Sequence, residues 1–140
     1  MIFALPLLLA LNLGDWPRDA SPAPVENASQ GPMEVCNAMV KAVKAGDLDG
    51  LVGHCTAYGR QRFSGKTKVA LHALHGLLIG VRCVRVDGEQ GSTDGGAPTS
   101  ALIWVYAPEG KSRELPFVKE NGFWRYDHQQ YEALHGKKAD

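Results

Sequence analysis

The stretch that decides the fold is LPFVKENGFWRYD, residues 115–127. At its centre, Asn121-Gly122 is a strong signal for a two-residue hairpin turn, because both residues accept the positive φ that such a turn requires. Apolar and polar residues alternate on both sides of the turn, as in strands with one buried face. The stretch therefore predicts two antiparallel strands, residues 113–119 and 123–127. Pro116 in the first strand suggests a sheet edge or an irregularity.

Two more strands are predicted upstream, at residues 81–86 and 101–106. The segment between them, residues 87–98, contains four glycines and no apolar pattern, which predicts a mobile loop. Apolar residues at helical spacing precede the strands and predict three helices. Helices followed by antiparallel strands indicate an α+β fold, with the N-terminal helices packed on an antiparallel sheet. The predicted helices cover residues 33–45, 48–58 and 68–79.

The junction between the first two helices is Gly46-Asp47. Glycine favours the left-handed conformation that ends a helix, and aspartate is a good first cap of the next one. At the other end of the chain, residues 128–140 predict one helical turn and then a frayed tail.

The N-terminus predicts export. Residues 2–13, IFALPLLLALNL, are too few to span a bilayer, for which about 20 are needed, but they suit the apolar region of a signal peptide. We therefore expect a signal peptide at residues 1–23, and a periplasmic or extracellular location without a transmembrane span after its removal. An apolar first helix of the domain is the alternative. The remaining predicted parts are a linker at 24–31, the domain at 32–128 and a tail at 129–140.

Three features in this order resemble the nuclear transport factor 2-like family, in particular its exported bacterial members. They are residues 42–51 (AVKAGDLDGL), a third helix, and the ending at residues 115–127. The similarity covers residues 32–127. It implies a cystatin-like cone, in which a curved sheet wraps around the helices and leaves a cavity. The family includes isomerases, dehydratases, ligand carriers and transport adaptors, so the fold alone assigns no function.

Charge and motifs exclude several classes of function. Lys and Arg together number 15, as do Asp and Glu, and a nucleic-acid-binding domain would be expected to carry a basic surplus. Residues 59–67, GRQRFSGKT, have five residues between their glycines where a phosphate-binding loop needs four, so they predict only a basic loop. His72 and His75 have a spacing that suits a metal, but no third ligand follows at a recognised spacing. No metal or cofactor is expected.

The three cysteines are Cys36, Cys55 and Cys83. If two helices flank Gly46-Asp47 as a hairpin, Cys36 and Cys55 lie roughly opposite each other and can form a disulfide. The alternative is that all three are free, buried side chains, since free cysteine is often fully buried.

Strand parity selects aromatic residues as the candidate site. If Leu115 and Phe117 face the helices, Glu114 faces away, and likewise Arg125 and Asp127 face away on the last strand. The inner face then offers no acidic residue for acid–base catalysis, which favours a non-catalytic role. The predicted ligand-binding residues are the aromatic residues assigned to the inner face, together with a histidine beside the leucine stripe of the third helix: His75, Trp104, Tyr106, Phe117, Trp124 and Tyr126.

The sequence thus predicts an exported domain that binds a small apolar or aromatic ligand, or a protein partner, in a cone-shaped cavity. Three alternatives stay open: plain core packing of the aromatic residues, an isomerase- or dehydratase-like enzyme using His75 or an acidic residue whose strand face is wrongly assigned, and a structural or interaction module of the cell envelope. Ala101, Ile103 and Val105 occupy the opposite face of their strand and would need cover. The C-terminal tail could supply this cover, or a second copy of the chain could, and the second possibility predicts a homodimer through the outer sheet face.

Overall fold

The computed structural model of the chain describes residues 22–64, 69–91 and 98–136. Within these ranges, helices pack on one four-stranded antiparallel sheet, which confirms the predicted α+β class. The predicted signal peptide lies outside the described residues except for its last two positions. No helix in the described ranges has the length and apolar character needed to cross a membrane. The elements are α1 (Pro32–Ala45), α2 (Leu48–Gly53), α3 (Ala57–Phe63), α4 (Val69–Leu78), β1 (Arg82–Gly91), β2 (Pro98–Tyr106), β3 (Ser112–Glu120), β4 (Phe123–Tyr126) and α5 (His128–His135).

The junction between α1 and α2 forms as predicted. Gly46 ends α1 in the left-handed conformation, with φ of 73°. The Asp47 side chain accepts a hydrogen bond from the Gly50 N–H at 2.9 Å and so caps α2. At its other end, α1 begins with Pro32, and the Glu34 carboxylate accepts from the Gly31 N–H at 3.0 Å. Each of these contacts satisfies a backbone group that a helix end leaves without a partner.

The prediction of one helix over residues 48–58 is wrong, because the chain leaves the helix at residues 54–56 to pair with the edge of β4. The Tyr126 N–H donates to the His54 carbonyl at 2.8 Å, and the Thr56 N–H donates to the Tyr126 carbonyl at 3.1 Å. The Thr56 hydroxyl then accepts from the Gly59 N–H at 3.3 Å and caps α3. The predicted basic loop at 59–67 is therefore helical as far as Phe63.

The sheet has the order β1-β2-β3-β4. Asn121 and Gly122 have φ of 55° and 86°, which confirms the predicted turn between β3 and β4. The Pro116 carbonyl accepts from the Asp127 N–H at 2.9 Å, just past the end of β4, so the proline joins the ladder at this position through its carbonyl alone. β1 continues to Gly91 and β2 begins at Pro98, so the predicted loop at 87–98 is wrong for its first five residues and its last one. Residues 92–97 lie outside the described residues.

The inner face of the sheet carries Ala101, Ile103 and Val105, each at most 4% exposed. The prediction that Trp104 and Tyr106 face inward is therefore wrong. Pairing with β3 explains the result, since Ile103 lies opposite Leu115 and paired residues share a face. The apolar outer face on which the predicted homodimer rested is in fact core.

The disulfide joins Cys36 to Cys83, with a Cα–Cα distance of 6.3 Å, so the predicted Cys36–Cys55 pairing is wrong. Cys83 pairs with Val105 on the inner face of β1, where α1 packs on the sheet. Cys55 lies beside β4, where its backbone forms a β-bridge with Tyr126, and its side chain is a buried free thiol. Burial raises the pKa of this thiol well above its usual range.

Both ends of the described chain are more ordered than predicted. Residues 128–135 form a two-turn helix rather than one turn, and the Asp127 carboxylate caps it by accepting from the Gln130 N–H at 3.0 Å. In the predicted linker, the Val25 N–H donates to the Gly53 carbonyl at 2.9 Å. This part of the linker is attached to the domain.

Candidate functional site

The six predicted site residues do not line one cavity. Phe117 and Tyr126 are each 1% exposed and meet edge to face, with 5.9 Å between ring centroids, as core residues do. Trp124 shares their face of the sheet and is also buried. Trp104 and Tyr106 lie on the outer face, and His75 is half-buried on α4. Their role in ligand binding stays a prediction, but they lie in three separate places: the core, the outer face of the sheet, and α4.

Two grooves lie beside α5, the segment that the sequence predicted as a tail. The first, which we call the helix groove, lies among α3, α4 and α5 and has a volume of about 390 Å³. The second, the sheet groove, lies between α5 and strands β1 to β3 and has a volume of about 460 Å³. The helix groove is lined by Arg62, Ala70, Ala73, Leu74, Leu77, His128, Tyr131, Glu132, His135 and Gly136.

The α4 side of the helix groove is apolar. It consists of Ala70, Ala73, Leu74 and Leu77, which recur at the spacing of one helix face. Leu74 is 1% exposed and anchors this wall in the core. The two alanines are the small members, and they leave room for an occupant between the helices.

The α5 side of the helix groove is aromatic. Tyr131 lies between two histidines, with ring centroids 5.9 Å from His128 and 4.3 Å from His135. The rings of His128 and Tyr131 are nearly parallel, at 17°. The Phe63 ring of α3 packs edge to face on the His128 ring, with 4.7 Å between the ring centroids. The three α5 residues follow an i, i+3, i+7 pattern, so their rings form one continuous surface.

A network of polar contacts holds His128 and Glu132, two lining residues of the helix groove, in place. His128 Nδ1 lies 3.0 Å from the Tyr126 hydroxyl, and His128 Nε2 lies 3.5 Å from a Glu132 carboxylate oxygen. The same carboxylate accepts from the Tyr58 hydroxyl at 2.8 Å and from Arg62 Nε at 3.4 Å. Burial raises the pKa of Tyr126, which keeps its hydroxyl protonated and able to donate to His128.

The lining of the sheet groove mixes apolar and polar side chains, and the charged ones among the described residues are acidic. Glu89 of β1 and Asp127 at the start of α5 face it, together with Gln90, Ser100 and Gln130. Asp127 already serves as the cap of α5 through the Gln130 N–H. Phe117 is the one aromatic residue among the described residues that line this groove, and it is 1% exposed, so the sheet groove offers a ligand less ring surface than the helix groove.

No metal site is present among residues 22–64, 69–91 and 98–136, where no three His, Cys, Asp or Glu side chains converge. His72 is exposed, and its helix neighbour His75 is half-buried.

Sequence signals for the helix groove were weak. Its residues come from three helices, and α5 has no buried residue and little apolar periodicity. The sequence analysis missed it; the signal that could have indicated it is the helical spacing of His128, Tyr131 and His135.

Comparison with known proteins gives no further guide, since no protein-family model, curated protein or solved structure matches the chain. The functional argument therefore rests on the geometry of the helix groove.

Proposed function

We propose that this chain is an exported, non-catalytic domain that binds a small, planar, largely apolar ligand in the helix groove. The observation that carries the proposal is the pairing of an aromatic wall on α5 with an apolar wall on α4. Small-molecule sites are concave, mostly apolar and roughly 300–1,000 Å³ in volume, with a few polar groups that fix orientation. At about 390 Å³, the helix groove has these properties.

The shape of the lining supports a planar ligand. Tyr131 and His135 line the groove as neighbouring rings, and such rings attract another ring in offset or edge-to-face contact. Ala70 and Ala73 face the same groove and add apolar surface without filling it. A ring that enters between the two helices would therefore contact aromatic atoms on one side and methyl groups on the other.

The polar network supports binding rather than catalysis. Both ring nitrogens of His128 face a protein partner, Tyr126 on one side and Glu132 on the other. A general base needs a nitrogen that can reach the substrate proton. An isomerase- or dehydratase-like activity is the second candidate, favoured by the position of His128 in a groove, and it would require one of these partners to withdraw when substrate binds.

Two features support the exported location and the family. The Cys36–Cys83 disulfide suits an oxidising compartment. The apolar run at residues 2–13 suits a signal peptide, which would direct the chain to such a compartment. The order of helices before a four-stranded meander, with the Gly46-Asp47 junction and the Asn121-Gly122 turn, supports the nuclear transport factor 2-like resemblance. Mass spectrometry of the protein from its host's exported fraction tests both cleavage near residue 23 and any retained ligand.

The proposal that the ligand binds in the helix groove is tested by a variant that fills the groove with a larger side chain. Ala73 is exposed and lines the groove, so Ala73→Trp should block the space without disturbing the core. With anilinonaphthalene sulfonate as the probe, we expect saturable fluorescence enhancement in the unmodified protein. The variant should bind about tenfold more weakly or worse, a loss of roughly 1.4 kcal/mol of binding free energy.

The matched control is His72→Trp, which adds the same side chain at an exposed neighbouring position of α4 that is not part of the groove lining. It should bind the probe as the unmodified protein does. Equal binding by both variants, with circular dichroism showing both folded, would remove the helix groove as the site.

A further inference from the structure

The two edges of the sheet are treated differently by the fold. The edge of β4 is covered by residues 54–56, which form the bridge between Cys55 and Tyr126. The edge of β1 has no such cover: in the described part of the chain, β1 pairs with β2 alone. An open strand edge presents unpaired backbone donors and acceptors, and proteins generally pair, cover or blunt it.

The exposed side chains of β1 include two valines, and its basic and acidic residues are divided between the two halves of the strand. Val84 and Val86 are 39% and 37% exposed and leave apolar surface beside the open edge. Arg82 and Arg85 make the first half of the strand basic, whereas Asp87 and Glu89 make the second half acidic. The strand is therefore complementary to an antiparallel copy of itself.

We propose that β1 pairs antiparallel with β1 of a second copy of this chain, about a two-fold axis at Val86. In this register, Arg85 of each copy lies opposite Asp87 of the other, and the two Val86 side chains meet at the axis. A closed dimer of this kind uses the same surface on both subunits. A parallel arrangement in register would place Arg85 beside Arg85 and is disfavoured by like charge.

The surroundings of Arg85 and Asp87 fit this arrangement. The Arg85 side chain is 57% exposed and lies over the Trp104 ring on the outer face, 5.2 Å from its centroid. Asp87 contacts both Arg85 of its own chain, at 3.5 Å, and the carboxyl group of Glu114. The hydrogen bond with Asp87 raises the pKa of Glu114, which marks an excess of acid at this point. A second arginine from the other copy would balance it.

A charge-exchange experiment tests the proposal. The oligomeric state of the unmodified protein, Arg85→Glu, Asp87→Arg and an equal mixture of the two variants is measured by sedimentation velocity over a concentration series. Each variant alone places like charges opposite each other twice, and we expect its self-association to weaken by about tenfold or more. The mixture restores opposite charges at both positions and should form the heterodimer.

The mixture distinguishes a lost β1 contact from a folding defect. Both residues are exposed, so circular dichroism should show that each variant folds. Rescue in the mixture cannot come from repaired folding, because each chain keeps its own substitution. A monomeric unmodified protein at every concentration would overturn the proposal and would show that the register irregularities of β1 are sufficient to blunt its edge. Dimers that persist in both single variants would also overturn it.

Discussion

At the scale of single residues, His54 is the clearest case of a side chain whose burial has a measurable consequence. It is 7% exposed, and its Nδ1 hydrogen-bonds the Gly50 carbonyl at 2.8 Å. Its Nε2 is buried and has no hydrogen-bond partner among the described residues. Burial lowers the pKa of His54, and repulsion from Arg125 lowers it further, against the opposing effect of the Gly50 carbonyl.

This lowered pKa predicts how stability depends on pH. The unfolded chain binds a proton at the ordinary histidine pKa of about 6.5, whereas the folded chain binds it only at lower pH. The contribution of His54 is therefore complete above pH about 6.5 and is lost as pH falls towards the folded-state pKa, by up to about 1.4 kcal/mol per pH unit. Urea unfolding at several pH values should show this slope.

The variant His54→Asn keeps a donor for the Gly50 carbonyl but cannot titrate. Its unfolding free energy should therefore vary less than that of the unmodified protein as the pH falls below the ordinary histidine pKa. His72→Asn, at an exposed position of α4, serves as the control and should keep the slope of the unmodified protein. If His54→Asn shows an unchanged slope, the acid sensitivity comes from other groups.

At the scale of elements, Arg125 of β4 holds the N-terminal segment, residues 23–25, against the domain. Its Nη1 donates to the Val25 carbonyl and, at 3.2 Å, to the Gly53 carbonyl at the end of α2. Arg125 is 3% exposed although it lies on the outer face, as predicted, because the segment covers it. A side chain at Gly53 would lie 3.0 Å from the Ala23 carbonyl, so the segment and α2 are in close contact.

Replacing the guanidinium should release the segment. Arg125→Met keeps an apolar stem over the Phe123 ring but removes the donor, and we expect a loss of about 1.5–3 kcal/mol in unfolding free energy. Hydrogen exchange should rise at Val25, whose N–H bonds the Gly53 carbonyl. Arg113→Met, which removes an arginine from a more exposed ion pair with Glu109, should change neither quantity much. Unchanged exchange at Val25 in Arg125→Met would mean that the segment docks without this residue.

Elements also show which predictions the sequence allowed. Turns such as Asn121-Gly122 and Gly46-Asp47 were predictable because they depend on the φ of residues adjacent in the chain. The face of β2 was not, because the strand is apolar on both sides: Ile103 and Val105 alternate with Leu102 and Trp104. Only pairing with β3 decides which set is buried, and that is a contact between distant parts of the chain.

At the scale of the whole molecule, the candidate site was less predictable than the fold. The aromatic residues of the sheet looked like a ligand-binding set, yet Phe117 and Tyr126 fill the core. The helix groove exists because α5 packs against α3, which brings Glu132 to Tyr58 over a sequence separation of 74. Local pattern carries no information on such a contact. The same holds for the disulfide, whose partner was fixed by the position of β1 under α1.

The Cys36–Cys83 disulfide links the helical part of the molecule to its sheet, and its removal should destabilise both. The bridge spans a sequence separation of 47, for which the chain-entropy model gives about 4 kcal/mol of stabilisation. Reductant should lower the urea midpoint of the unmodified protein. It should leave the midpoint of the double variant Cys36→Ala/Cys83→Ala unchanged. Cys55→Ala provides the discriminating control, since it retains the bridge and should stay sensitive to reductant. Insensitivity of Cys55→Ala, with sensitivity retained in Cys83→Ala, would instead assign the bridge to Cys36 and Cys55.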